Sequence, residues 1–236
     1  MHELVPEKFV WFVWASAFLV PWMVAFGAFP AHRRVILWAS LFTTPFGLTE
    51  PLFVPEYWNP PSLFDLAQRT GFDIESLIFC FGIGGVGAVS YNILTGKSHG
   101  RMSSMARRLA SHRFHFWAVA TPFLVFPVLY LMEWNPIYPA IVAMALGAVS
   151  TMLCRRDLIS KTWVGGVLFL VYYLVFLAGL EWLSPGYIGK VWNLESLSGI
   201  LIYGMPIEEL LFAVMFGAYW SGVYEHFTWR RVADIH

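Results

Sequence analysis

Gly71-Phe72-Asp73-Ile74-Glu75-Ser76-Leu77-Ile78-Phe79 and Gly204-Met205-Pro206-Ile207-Glu208-Glu209-Leu210-Leu211-Phe212 head two long apolar stretches in the same way, with Glu75 and Glu208 133 residues apart. Each stretch has roughly the 20 residues that a helix needs to cross a hydrocarbon core about 30 Å thick. An ionised carboxylate buried in hydrocarbon costs several kcal/mol at least, so such a group is usually paired, neutral or functional. The two acidic heads therefore fix both the fold class and the place to look for function.

The remainder of the chain agrees with a membrane solvent. Of 236 residues 58% are hydrophobic and only 13% charged, and the mean hydropathy is +0.61, too apolar for a soluble domain. Spans are expected near 8–29, 33–53, 74–94, 115–133, 136–154, 163–183 and 199–223, an all-α integral membrane protein of about seven helices. The first segment is too long for a signal peptide and reads as a retained helix. Many of the twelve Trp fall near the expected helix ends, where amphipathic rings favour the interface. Seven crossings put only Lys8, Arg69 and Lys190 on one side and the other twelve Lys and Arg on the opposite side. The positive-inside rule then places the N-terminus outside and the C-terminus in the cytoplasm. The basic loop 97–113 is read as a solvated loop beside anionic lipid rather than a nucleic-acid site.

An internal repeat organises the segments. Segment one ends at His32-Arg33-Arg34 and segment five at Arg155-Arg156; segment two ends at Glu50 and segment six at Glu181. A Pro- and aromatic-rich loop follows each, carrying Trp58-Asn59 or Trp192-Asn193, and then the acidic motif. Expected units are a first three-helix repeat (1–96), a basic loop and connector helix (97–135), and a second three-helix repeat (136–236). An even number of crossings between the copies makes them parallel, related by an axis along the membrane normal. The aromatic loops serve either as interfacial anchors or as a lid over a lipid-filled cleft. Glu50 and Glu181 either line the same cleft or mark the interface.

Pro206 preorganises a first helical turn, placing Glu208 and Glu209 at a helix N-terminus where the macrodipole favours them. Successive residues turn by 100°, so the two acids cannot share a face, and Glu209 aligns with Phe212 and Phe216. One reading makes them interfacial caps in contact with water. The other makes a neutral, dry carboxylic acid that protonates something apolar, with Phe79, Phe81, Tyr203, Phe212, Phe216 and Trp220 around it as packing or as ring faces for a cation.

Several alternatives are weaker. Gly82-Ile83-Gly84-Gly85-Val86-Gly87 fits a dinucleotide pattern but lies inside an apolar helix and follows no strand; close helix packing explains it better, and no flavin or nicotinamide site is expected. No lysine lies mid-helix for a retinal Schiff base. Cys80 and Cys154 offer no disulfide framework or metal-ligand spacing and read as core thiols, so no metal is expected. Glu225 and His226 read as a surface pair.

The run Pro206-Ile207-Glu208-Glu209-Leu210-Leu211-Phe212 resembles the Pro-x-Glu-Glu motif of the small integral-membrane lycopene cyclases, the heterodimeric or fused carotenoid cyclases. The size, the tandem three-helix units and Pro55-Glu56-Tyr57-Trp58-Asn59-Pro60 are similar as well. The resemblance implies non-redox, acid-catalysed cyclisation of the linear ends of lycopene, with no flavin domain. It implies Glu208 as acid and Glu209 as proton acceptor or electrostatic partner, or the reverse, with Glu75 or Asp73 contributing from the first copy. That copy departs from the motif, having Asp73 for the proline and Ser76 for the second acid. Trp58 and Trp192 join the aromatic residues expected on the substrate, while Pro206, Asn59, Asn193, Glu50 and Glu181 are motif positions. The expected partners are an apolar polyene and lipid, and a homo-oligomer is left open. A carotenoid-binding scaffold and a small proton-coupled transporter are the competing classes.

Overall fold

The computed structural model describes residues 5–234. In chain order its regular elements begin with α1 (Glu7–Ala17), α2 (Leu19–Ala28), α3 (Arg33–Thr43), α4 (Leu66–Thr70) and α5 (Ile74–Thr95). They continue with β1 (Lys97–Arg101), α6 (Ser104–Arg107), α7 (His115–Tyr130), α8 (Ile137–Cys154), α9 (Ile159–Leu183) and α10 (Tyr187–Val191). The chain ends with β2 (Leu201–Ile202), β3 (Met205–Pro206), α11 (Ile207–Trp220), α12 (Val223–Thr228) and β4 (Arg230–Asp234).

Four helical stretches among the described residues are long and apolar enough to cross a membrane: Glu7–Ala28, Ile74–Thr95, Ile137–Cys154 and Arg156–Leu183. Segment two is interrupted: after α3 the chain tightens into a 3₁₀ stretch over Thr44–Leu52. Pro45 and Pro51 fall in that stretch, and a proline cannot donate to the helical ladder. Segment seven starts later than expected. Residues 199–206 form a short hairpin rather than helix, with Leu201 opposite Pro206 and Ile202 opposite Met205. Its two-residue turn, Tyr203-Gly204, has both φ values positive, at 51° and 83°, the geometry that matches strand twist in tight hairpins.

Helix α5 is the hub, packing against α1, α2, α3, α9 and α11. Its glycines permit this. A Cβ on Gly84 would fall 1.8 Å from Thr43 Oγ1, and one on Gly85 would fall 2.5 Å from Ser40 Oγ. The apparent dinucleotide pattern is therefore a helix-packing face, as the apolar context implied. Outward-facing positions are apolar too: Val24, Leu41, Val128 and Val175 are 61–66% exposed. A belt of exposed aliphatic residues on long apolar helices is a lipid-facing surface.

The two ends of the bundle differ. At one end β1 and β4 pair antiparallel, with Lys97 opposite Asp234 and Arg101 opposite Arg230. Glu225 and His226 are not a surface pair there, being 0% and 1% exposed. The Lys161 Nζ donates to Glu225 Oε1 at 2.5 Å, and His99 Nδ1 lies 3.0 Å from the same oxygen. A buried carboxylate needs such partners, and Lys161 reaches it from the first turn of α9. At the other end the two aromatic loops pair reciprocally. Asn59 N–H donates to Val191 O at 2.8 Å, and Asn193 N–H donates to Tyr57 O at 2.9 Å.

Candidate active site

A cavity of about 710 Å³ opens between the helices, within the range of small-molecule sites. Trp11, Trp14, Phe18, Trp58 and Phe79 line it from the first half of the chain, and Tyr173, Trp192, Phe212, Phe216 and Trp220 from the second. The α7 residues Pro122, Phe123 and Phe126 form a further wall. Phe212, Phe216 and Trp220 stack successively, with centroids 5.9 Å apart at each step, because residues four apart share a helix face. Leu131 lines the cavity yet is 85% exposed, so the mouth lies beside the end of α7, toward lipid.

Two carboxylic acids reach this wall, Glu209 and Glu50. Glu209 is the third residue of α11 and is surrounded by donors. The Tyr57 hydroxyl donates to its Oε1, Trp192 Nε1 donates to the same oxygen at 2.6 Å, and the Tyr173 hydroxyl donates to Oε2 at 2.7 Å. Three converging donors with no cation in salt-bridge contact among the described residues hold the group in one orientation. Glu50 is different. It is buried in the 3₁₀ stretch beside Ser76 and Trp58, and its Oε1 has no hydrogen-bond partner.

The other expected acids lie off the cavity wall. Glu208, one residue and 100° away from Glu209, turns toward α8: its Oε1 accepts from the Tyr138 hydroxyl at 2.8 Å and from Ser198 N–H at 2.9 Å. Glu75 does the same in the first half, its Oε1 accepting from Leu63 N–H at 2.7 Å. Each ties the preceding loop to the helix head. Asp73 caps α5 by accepting from Ser76 N–H, a common role for Asp. Burial raises its carboxyl above the usual range, against the Ser76 hydrogen bonds.

The remaining expected positions divide in the same way. Phe79, Phe212, Phe216, Trp220, Trp58 and Trp192 line the cavity. Tyr203 does not: it stands at the hairpin tip, 94% exposed, because the helix starts after it. Phe81 packs outside the cavity on Trp22, centroids 5.1 Å apart. Pro206 is the N-cap of α11, and Asn59 and Asn193 carry the reciprocal loop pairing. Glu181 accepts from Gly186 N–H and Ile188 N–H, fixing its own loop, whereas Glu50 faces the cavity. None of the three donors to Glu209 was legible as a donor: Trp192 was expected on the substrate, Tyr57 stands one residue before the Trp58-Asn59 pair, and Tyr173 is one tyrosine in an apolar helix.

The fold and site define a helical membrane protein with an aromatic, lipid-side cavity and two buried carboxyl groups on its wall. Residues 135–227, about two fifths of the chain, match the lycopene cyclase family model. The matched segment carries Tyr138, Tyr173, Trp192, Glu208 and Glu209. No curated protein and no solved structure shows a significant match to the chain. The family supports a carotenoid cyclase function in general and a membrane setting.

Proposed function

We propose that this protein cyclises the linear end groups of lycopene, or a closely similar polyene, by acid catalysis in the cavity between its two halves. The observation that carries the reading is the pair of differently solvated carboxyls, Glu50 and Glu209, on one aromatic wall. A buried carboxyl with a free oxygen and no cation is stable as the neutral acid, which suits Glu50 to proton donation. Three donors aimed at one carboxyl stabilise negative charge on it, which suits Glu209 to stabilise a cation and accept a proton.

The reaction follows from those roles. The Glu50 proton adds to the terminal double bond, leaving a tertiary cation. The π electrons of the next trisubstituted double bond close a six-membered ring and move the positive charge onto the ring. Loss of a ring proton to Glu209 restores a double bond, and the hydrogen removed sets the ring type. No electrons are gained or lost overall, so the product is an isomer and the step needs no flavin or nicotinamide. The proton returns from Glu209 to Glu50 before the next turnover. Phe79, Phe212, Phe216 and Trp220 supply ring faces that stabilise a cation and exclude the water that would hydrate it.

This reading includes the seven-crossing, two-repeat architecture, with the N-terminus outside and the C-terminus cytoplasmic. The α3 helix and its 3₁₀ continuation together extend about 34 Å, long enough to span. The parallel bonds from Glu75 to Leu63 and from Glu208 to Ser198, and the reciprocal loop pairing, support two related halves. Expression in a lycopene-accumulating host, with chromatography of the pigments, tests the function. Ringed products from the wild type, lost in Glu50→Gln and Glu209→Gln, are expected. Untouched lycopene with well-inserted wild-type protein overturns the reading and favours a binding scaffold.

A further inference from the structure

At the end of the bundle away from the two aromatic loops, three metal-ligating side chains converge: His112, His115 and Cys154, their ligand atoms all within 4.8 Å of one another. Cys154 is therefore not an isolated core thiol. It is the last residue of α8, where its sulfur meets two rings spaced His-x-x-His, His112 at the end of a 3₁₀ turn over Ala110–His112 and His115 at the first position of α7. His112 Nδ1 lies 3.5 Å and His115 Nδ1 3.3 Å from Cys154 Sγ. Zinc bonds of about 2.0–2.1 Å to nitrogen and 2.3 Å to sulfur at a tetrahedral angle put those ligand atoms about 3.5 Å apart. Both nitrogen–sulfur pairs already stand at about that spacing, and a small closing movement of the two rings, whose ligand atoms lie within 4.8 Å, completes it.

The protonation pattern points the same way. His115 Nε2 lies 2.9 Å from the carbonyl oxygen of His226, which can only accept. Nε2 therefore carries the proton, and Nδ1 keeps its lone pair toward the sulfur. A carbonyl that accepts from the far ring nitrogen and so fixes the tautomer is the usual support of a ligating histidine. Trp229 stacks on the same ring at 3.9 Å and holds its plane. A thiol has one proton and can donate it to only one of the two facing Nδ1 atoms. A thiolate on a cation satisfies all three groups together.

We propose that His112, His115 and Cys154 bind a zinc-class divalent ion, with water in the fourth position. The ion clips the start of α7 to the end of α8 and, through His115, to the α12 backbone. The α7 helix then continues from this clip to the cavity wall at Pro122, so the site is a structural staple for that wall. The proposal does not depend on the cyclase reading.

The test uses the full-length, untagged protein in detergent, stripped with a chelator and titrated with Co²⁺ and then Zn²⁺. One ion per chain is expected, with a thiolate-to-cobalt charge-transfer band and the intense d–d bands of a four-coordinate ion. Zn²⁺ should displace both. Cys154→Ser should remove the charge-transfer band, and His115→Ala should weaken affinity by about tenfold or more; Cys80→Ser should change neither. No stoichiometric uptake by the wild type overturns the proposal, whatever the variants do. So does an unchanged spectrum in a Cys154→Ser protein that keeps its helical circular dichroism.

Discussion

Tyr57, in the first aromatic loop, donates its phenolic hydrogen bond to Glu209, the third residue of the α11 helix 152 positions later. Trp192, in the second loop, donates to the same oxygen and lies 3.3 Å from the Tyr57 hydroxyl. The pairing of the two loops thus sets the orientation of the carboxyl group, joining the two halves of the chain at the proposed base.

Removing one donor should therefore weaken chemistry more than binding. A hydrogen bond to a charged group contributes about 1.5–3 kcal/mol, so Tyr57→Phe should slow cyclisation about tenfold or more. Trp192→Phe should act in the same direction. Initial rates with detergent-solubilised enzyme, taken across a range of polyene concentration, would check this. A change confined to KM would contradict it.

The two adjacent acids should separate by phenotype. Glu209→Gln is expected to abolish ring formation. Glu208→Gln keeps an oxygen for Ser198 N–H and Tyr138, so it should retain activity with at most a modest loss of stability. Pigment analysis together with the level of folded protein in membranes distinguishes these outcomes. An inactive, fully folded Glu208→Gln protein would return the acid role to Glu208.

Gly84→Ala should destabilise the bundle, since its Cβ would sit 1.8 Å from Thr43 Oγ1 and overpacking of this kind costs about 1–3 kcal/mol. Gly27→Ala meets nothing within 4 Å and should be neutral. Thermal unfolding in detergent reads both. Equal melting temperatures for the two variants would argue against the close α3–α5 contact.

The buried ion pair makes stability depend on acid. Burial works to raise Glu225, but Lys161 and His99 outweigh it and hold the carboxyl at about 2, below its ordinary 4.5. A depressed carboxyl contributes its stability above the unfolded value and loses it as pH falls from about 4.5 through about 2. A Glu225→Gln variant should show a flatter acid limb over that window. Lys161→Met leaves the carboxylate buried without its main partner and should cost about 3–5 kcal/mol, partly recovered in the double variant.

Much of the site could be read along the chain, and the rest could not for a definite reason. The 100° between neighbours predicted that Glu208 and Glu209 face different surroundings, and helical spacing grouped Glu209 with Phe212 and Phe216. Neither rule says which face meets the cavity. That depended on α8 bringing Tyr138 to Glu208 and on Tyr57, Tyr173 and Trp192 closing around Glu209. For Glu50 the repeat left two places open, cleft or interface, and its burial follows from the 3₁₀ tightening after α3. The hairpin that removes Tyr203 from the cavity rests on a two-residue turn inside a stretch apolar enough to pass for helix.

By itself, then, the sequence determined the membrane solvent, the long apolar helices and the acidic heads, because hydropathy, helical period and the cost of a buried charge act locally. Only the tertiary structure decided which carboxyls share the cavity, which of them is held by donors, and that His112, His115 and Cys154 converge. Those contacts join residues up to 152 positions apart, and nothing in the local pattern of either partner encodes the distance between them.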